Sequence, residues 1–150
     1  MEILTSGGIM PVDMPEILSR VSLFSLVKKR DLKRIAKLAN HHSFKKGDVI
    51  IREGTRDGRL FIIISCQVEI IKDLHGPGKE TLRMFGANSY FGEMALIDDY
   101  IRTASVVAVE DTDVLTLDQW NIREEIKKYP SIAIELLQTL GRRIRAFEEK

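Results

Sequence analysis

Hydrophobic positions change period twice along this chain of 150 residues. From Pro15 to Asn40 they recur at helical spacing: Ile17, Leu18, Val21, Leu23 and Phe24, then Leu32, Ile35, Ala36, Leu38 and Ala39. This predicts a pair of helices, with Asp31 placed to cap the second. From about His41 the pattern shortens to apolar runs broken by turn residues, as in an all-β sandwich or barrel. Predicted strands are His42–Lys45, Val49–Arg52, Leu60–Ser65, Val68–Lys72, Thr81–Phe85, Thr103–Val109 and Val114–Leu117. Lys46-Gly47-Asp48, Asp57-Gly58, His75-Gly76-Pro77-Gly78 and Glu110-Asp111 supply the turns. Helix returns over Asp118–Lys128, and Pro130 opens a last one, since a first-turn residue needs no amide donor. Ala133, Leu137, Leu140, Ile144 and Phe147 then step by four, three, four and three, a short heptad seam. Gly141 inside that helix marks a bend or a close helix crossing. Residues 1–14, with Gly7, Gly8 and Pro11, read as a flexible N-terminal arm, leaving 15–150 as one domain. The pattern therefore gives an α+β fold, mainly β.

The chemistry concentrates between Phe91 and Ala108. Gly92 gives the backbone freedom, and Glu93-Met94-Ala95-Leu96 are helix formers that predict one or two turns. A glycine followed by a helix start offers unpaired N–H groups and a positive dipole end, which suits an anion. Arg102 follows nine positions after Glu93, where a loop meets a β-branched strand. A guanidinium fork beside a helix start is a phosphate clamp, and a neighbouring carboxylate accepts hydrogen bonds from sugar hydroxyls. The stretch suits a small phosphorylated sugar. The plainer reading pairs Arg102 with Asp98, Asp99 or Glu93 and leaves no ligand.

Phe91-Gly92-Glu93-Met94-Ala95-Leu96, followed by Arg102-Thr103-Ala104-Ser105-Val106, resembles the phosphate-binding cassette of the cyclic-nucleotide-binding domains. The resemblance extends from about Pro15 onward. It implies an eight-stranded β jelly-roll barrel flanked by N-terminal helices and a hinged C-terminal helix pair, with cyclic AMP or cyclic GMP as ligand. It assigns Arg102 to the exocyclic phosphate oxygens, Glu93 to the ribose 2′-hydroxyl, and Gly92, Ala95 and nearby amides to backbone donation. Thr103 leans towards a guanine amino group, and Ala104 closes the motif. Ile70, Leu82, Arg83 and Phe85 would line the base and sugar. Arg143 and Phe147 would reach the pocket from a closing last helix, with Glu148 beside them. Ile101, Asn88 and Cys66 depart from the family's proline and two glycines.

Composition narrows the classes. Lys+Arg 23 against Asp+Glu 22 leaves a net charge of +1, so no global field draws the chain to nucleic acid or membrane. Lys28, Lys29, Arg30, Lys33 and Arg34 form a local basic run that reads as a solvated helix face. The single cysteine, Cys66, excludes an internal disulfide and fits a reducing cytoplasm. No membrane span or signal peptide is indicated. A metal-dependent jelly-roll enzyme needs clustered ligands, yet adjacent His41 and His42 would point to opposite faces of a strand, leaving His75 apart. With the chain ending at Lys150, no helix-turn-helix element is expected. The expectation is a cytoplasmic, non-enzymatic regulatory domain without metal or cofactor. It would form a homodimer through the last helix and act on a separate effector protein. A degenerate interaction module that binds no nucleotide is the alternative.

Overall fold

The computed structural model describes residues 2–5, 7–99 and 101–149. Met1 and Ser6 of the expected arm, Tyr100 of the cassette stretch and the terminal Lys150 lie outside the described residues. The central region folds into two four-stranded antiparallel sheets built from β3 (Asn40–Phe44), β4 (Val49–Ile51), β5 (Arg59–Ser65), β6 (Val68–Lys72), β7 (Glu80–Phe85), β8 (Tyr90–Phe91), β9 (Ser105–Ala108) and β10 (Thr112–Asp118). One sheet runs β3-β10-β5-β8 and the other β4-β9-β6-β7, a mainly β jelly-roll. Before them come β1 (Glu2–Thr5), β2 (Gly8–Pro11), α1 (Met14–Arg20), a 3₁₀ turn at Ser22–Phe24 and α2 (Lys29–Ala36). After them come α3 (Gln119–Lys128) and α4 (Ser131–Glu148).

The unbroken apolar run of β5 reflects burial on both faces. Leu60, Ile62 and Ile64 turn to the helices, where they join Leu18, Leu23, Phe24, Ile35, Leu115, Leu117, Ile122 and Ile132. Phe61 and Ile63 turn the other way and fill the space between the sheets with Ile51, Val68, Phe91, Val106 and Val114. The first sheet is therefore a wall with helices on one side and the second sheet on the other.

Several sequence expectations change here. Residues 2–5 and 8–11, expected in a loose arm, pair as the antiparallel strands β1 and β2, with Ile3 buried against the helical side of the core. Asp31 does not cap α2, which starts from Lys28 with no side-chain cap. It lies within the first turn of the helix, buried, and pairs with Arg34. Arg34 also meets Glu125 of α3 at 2.9 Å and lies over the Tyr129 ring, so it leaves the solvated basic face. Asp118 caps α3 by accepting from the Trp120 amide at 2.8 Å. α4 runs unbroken through Gly141, with open space around that residue. The two replaced glycines take left-handed backbone at a steric cost, Cys66 at φ 68° and Asn88 at φ 71°.

Asp113 binds the edge of the first sheet together. Its carboxylate, 2% exposed, accepts from Ser43 Oγ at 2.6 Å and Ser65 Oγ at 3.2 Å, and it meets His41 Nε2 at 2.9 Å. Burial alone would raise its pKa, but these three contacts outweigh it and hold the carboxyl below its usual value. A depressed folded pKa gives stability that is complete above the unfolded value, about 3.9, and lost as pH falls through the folded value. Urea denaturation should therefore show wild type more stable than Asp113→Asn at pH 7, with the gap closing below about pH 4. A gap independent of pH would mean that the charge contributes nothing.

Candidate functional site

The site grows from the edge of the first sheet. β8 pairs with β5, placing Phe91 opposite Phe61, and the two rings stack at 5.0 Å between centroids. Phe85 stacks on Phe91 from β7 at 6.2 Å. The chain then turns through Gly92, whose φ of 81° is the left-handed region open to glycine, into a 3₁₀ turn over Glu93–Leu96. Ala95 and Leu96 anchor that turn by burial. This is tighter than the α-helical start that the residues suggest, although it falls in the expected place.

Arg102 is brought under this turn from the loop before β9. Backbone bonds fix it: its amide donates to the Thr55 carbonyl at 2.9 Å, and the Gly54 amide donates to its carbonyl at 2.8 Å. The side chain is 7% exposed. Nη2 donates to the Arg59 carbonyl at 2.6 Å and stands 3.9 Å from Asp57 Oδ1. Asp57 is itself gripped by two of the guanidinium nitrogens of Arg59, Nε and Nη2, at 2.9 and 2.8 Å. That grip, against the opposing pull of burial, raises the Arg59 pKa above its ordinary value. A Cβ on Gly92 would collide with Arg102 Nη1 and lie 2.9 Å from the Arg59 carbonyl oxygen. The glycine is thus required twice, by its backbone angle and by the guanidinium packed against it.

Glu93 points to the helices. Its carboxylate accepts from the Leu23 amide at 3.2 Å, from Ser22 Oγ at 3.2 and 3.4 Å, and from Arg143 Nη2 at 3.1 Å. Arg143 also donates to Ser22 Oγ, and its Nη1 lies 3.4 Å from Met94 Sδ. The Tyr90 hydroxyl donates to Ser22 Oγ at 3.0 Å and accepts from the Ser22 amide at 3.1 Å. One connected network thus joins the 3₁₀ turn at Ser22–Phe24, the cassette and α4.

Beside it lies a cavity of about 570 Å³ lined by Arg83, Phe85, Asn88, Ser89, Tyr90, Phe91, Gly92 and Glu93. Arg83, Phe85, Phe91, Gly92 and Glu93 of the expected site residues meet there. Arg102 touches Gly92 from the barrel side, and Arg143 and Met94 reach Glu93 and each other on the helical side. Ile70 is half-buried on β6, opposite Arg83 and Val106 in the ladders. Leu82 is 46% exposed at an irregularity in the β6–β7 ladder. Thr103 is exposed, Ala104 half-buried, and Phe147 is 79% exposed near the end of α4. Asp98 and Asp99 do not take Arg102: Asp99 pairs with Arg56 at 2.6 Å, and the Asp98 carbonyl accepts from Gln119 of α3 at 2.8 Å. Sequence reasoning missed Ser22, Asp57, Arg59 and Tyr90. Asp57-Gly58 read as a turn, and no local signal marks a serine that acts 71 positions away.

Residues 41–129 match the family described as the cyclic nucleotide-binding domain. The chain belongs to this family. It is 30% identical over 132 residues to a CRP-like cAMP-activated global transcriptional regulator of Mycobacterium tuberculosis, covering 88% of this chain and 59% of that protein. It is 32% identical over 104 residues to a cGMP-dependent protein kinase of Caenorhabditis briggsae, covering 68% of this chain and 14% of the kinase. The fold matches the N-terminal domain of a transcriptional regulator from Streptomyces coelicolor A3(2), with TM-score 0.79 and 23% identity over 89% of this chain and 93% of that one. The chain spans 59% of the length of the first curated relative it matches. Among the described residues, no group of three or more His, Cys, Asp or Glu stands ready to hold a metal ion. No helix among them is long and apolar enough to cross a membrane.

Gly92→Ala should cost about 1–3 kcal/mol by forcing a left-handed alanine against the guanidinium, read as a lower urea midpoint. A variant as stable as wild type would mean that Arg102 moves aside freely.

Proposed function

We propose that this domain binds a cyclic nucleotide monophosphate, cyclic AMP or cyclic GMP, and regulates a separate effector without catalysis of its own. What carries the reading is the packing of Gly92 against Arg102 at the head of the Glu93–Leu96 turn, beside an open cavity. Arg102 takes the phosphate and exchanges its contact with Asp57 for the ligand's charge. The Gly92 amide adds a donor to the same anion, and the Ala95 amide joins it by exchanging its present bond to the Gly92 carbonyl at 3.1 Å. Glu93 accepts from the ribose hydroxyl by giving up donors that now come from Ser22 and Arg143. Arg83 and Phe85 offer a cation and an aromatic face to the base. Ile70 and Leu82 extend that side of the pocket, and Thr103 tilts the choice of base towards guanine. Closure of α3 and α4, bringing Phe147 towards the base, is a population shift no larger than the ligand's differential affinity for the two states. The names of the bacterial regulator and the kinase support this ligand class.

The outer face of α4 supports a homodimer. Ile134, Leu137, Ile144 and Phe147 are 60%, 66%, 60% and 79% exposed, whereas the barrel takes Ile132, Leu136 and Thr139. Most of the expected heptad seam therefore looks outward. The same face, with Glu93 already engaged, favours the second reading, an interaction module that holds no nucleotide. A cytoplasmic setting is part of this proposal, in keeping with the free thiol of Cys66.

Calorimetry with cyclic AMP and cyclic GMP tests the ligand. Arg102→Ala should weaken binding by about 3–5 kcal/mol, because it leaves the buried phosphate charge unmatched, or roughly 2 to 4 decades. Flat titrations of wild type with both nucleotides would favour the interaction module. For the dimer, Leu137→Glu with Ile144→Glu should halve the mass found by sedimentation. A wild type that already sediments as a monomer would rule the dimer out.

A further inference from the structure

The basic run around α2 reads as a solvated face, yet the fold gives it a more particular setting. Lys29, Lys33 and Lys37 recur every fourth residue, so they form one stripe about 12 Å long on α2 and its C-cap. All three are exposed, and among the described residues no carboxylate pairs with them. Arg34, from the same run, is the contrast, held by Asp31 and Glu125. Like charges four apart destabilise a helix, and Lys29 stands in the first turn, where the helix dipole also opposes a cation. α2 has 8 residues and no side-chain N-cap to offset this. The folded chain leaves the cost of the stripe uncompensated.

The stripe borders a groove. Between β2, α1 and α2 lies a hollow of about 1030 Å³. Buried Val12, Met14 and Ala36 form its floor, and Lys33 and Lys37 stand along its rim. A second hollow of about 390 Å³ continues it towards the start of α2, where Lys29 lies beside Val27 and Leu32. Asp13 and Pro15 line both. The facing wall is acidic, but its carboxylates are mostly engaged at home. Asp13 accepts from the Glu16 amide at 3.2 Å as the cap of α1, and Glu16 pairs with Arg20 at 2.9 Å. Glu2 lines the larger hollow from β1.

We propose that this groove docks an amphipathic helix of a partner protein, its apolar ridge on the floor and an acidic flank turned to Lys29, Lys33 and Lys37. Carboxylates at every fourth residue of such a helix repeat about every 6 Å, the spacing of the lysines. An open trough with an apolar floor is the shape that receives a helix ridge. Glu2, Asp13 and Glu16 repel a partner that is negative all round, which disfavours nucleic acid and selects a helix acidic on one flank only. The groove shares no lining residue with the cavity beside Glu93, so docking there needs no nucleotide.

Fluorescence anisotropy on the full chain tests the groove with a labelled helical peptide of about 16 residues, leucines along one ridge and glutamates every fourth residue along one flank. It should bind saturably to wild type, and more weakly as salt rises from about 0.05 to 0.3 M. Lys33→Glu with Lys37→Glu should weaken binding about tenfold. Lys33→Gln with Lys37→Gln should weaken it about threefold, and carries the test if the charge reversal does not fold. The same peptide with lysines for glutamates, or serines for leucines, should not bind. No saturable binding of the acidic peptide overturns the proposal, as does equal binding of the lysine peptide or an affinity unchanged in the folded lysine variants. Duplex DNA that binds with the same dependence on Lys33 and Lys37 also overturns it, and marks a nucleic-acid surface instead.

Discussion

The carboxylate of Glu93 joins three parts of the chain that also meet in the helical side of the core, where Leu23, Phe24, Leu96, Ile132 and Leu136 pack together. A backbone amide and a hydroxyl come from the turn at Ser22–Phe24, and a guanidinium comes from α4. A largely withdrawn carboxylate is stable only with several donors, and charged donors are the strongest of these. Because the donors belong to different elements, satisfying this charge and positioning the helices are one free-energy problem. Tyr90 extends the arrangement to the sheet edge through Ser22.

Arg102 belongs to a different body. Its backbone is tied to Gly54 and Thr55, and its side chain to Arg59 and Asp57, all on the barrel. The two charged groups that the motif sets side by side are therefore anchored to separate layers, with Gly92 between them. A ligand that engages both would couple the barrel to the helices at one glycine. The phosphate end of such a site is rigid, and the sugar end moves with whatever moves α4.

Most of the fold was legible because burial on one or both faces leaves a plain pattern. β5 reads as a continuous apolar run, and β6 was placed by the alternation of Val68, Glu69 and Ile70, although its burial departs from strict alternation at the irregularity between Ile70 and Ile71. β8 was not legible, since a strand of two residues has no period. The pairing of β1 with β2 was hidden by Gly7, Gly8 and Pro11, which suggest looseness although Gly8 and Pro11 lie in the ladder itself. Asp31 failed as a cap because the helix begins earlier and Arg34 gives the carboxylate a partner inside it. At the site, the cassette was readable because its residues are contiguous. Of the side chains that hold it, Arg143 was placed at the pocket by resemblance, whereas Ser22 was not legible, because it lies 71 positions from Glu93 and meets it only through the fold.

β8 borders the wall formed by β3, β10 and β5, and its two residues face opposite sides. Phe91 lies in the space between the sheets, and Tyr90 packs with the helical core. A shift at this rim is felt in both compartments at once, without the well-filled interior having to deform. A displacement of this border would cross from one compartment to the other over a single residue step, from Tyr90 to Phe91.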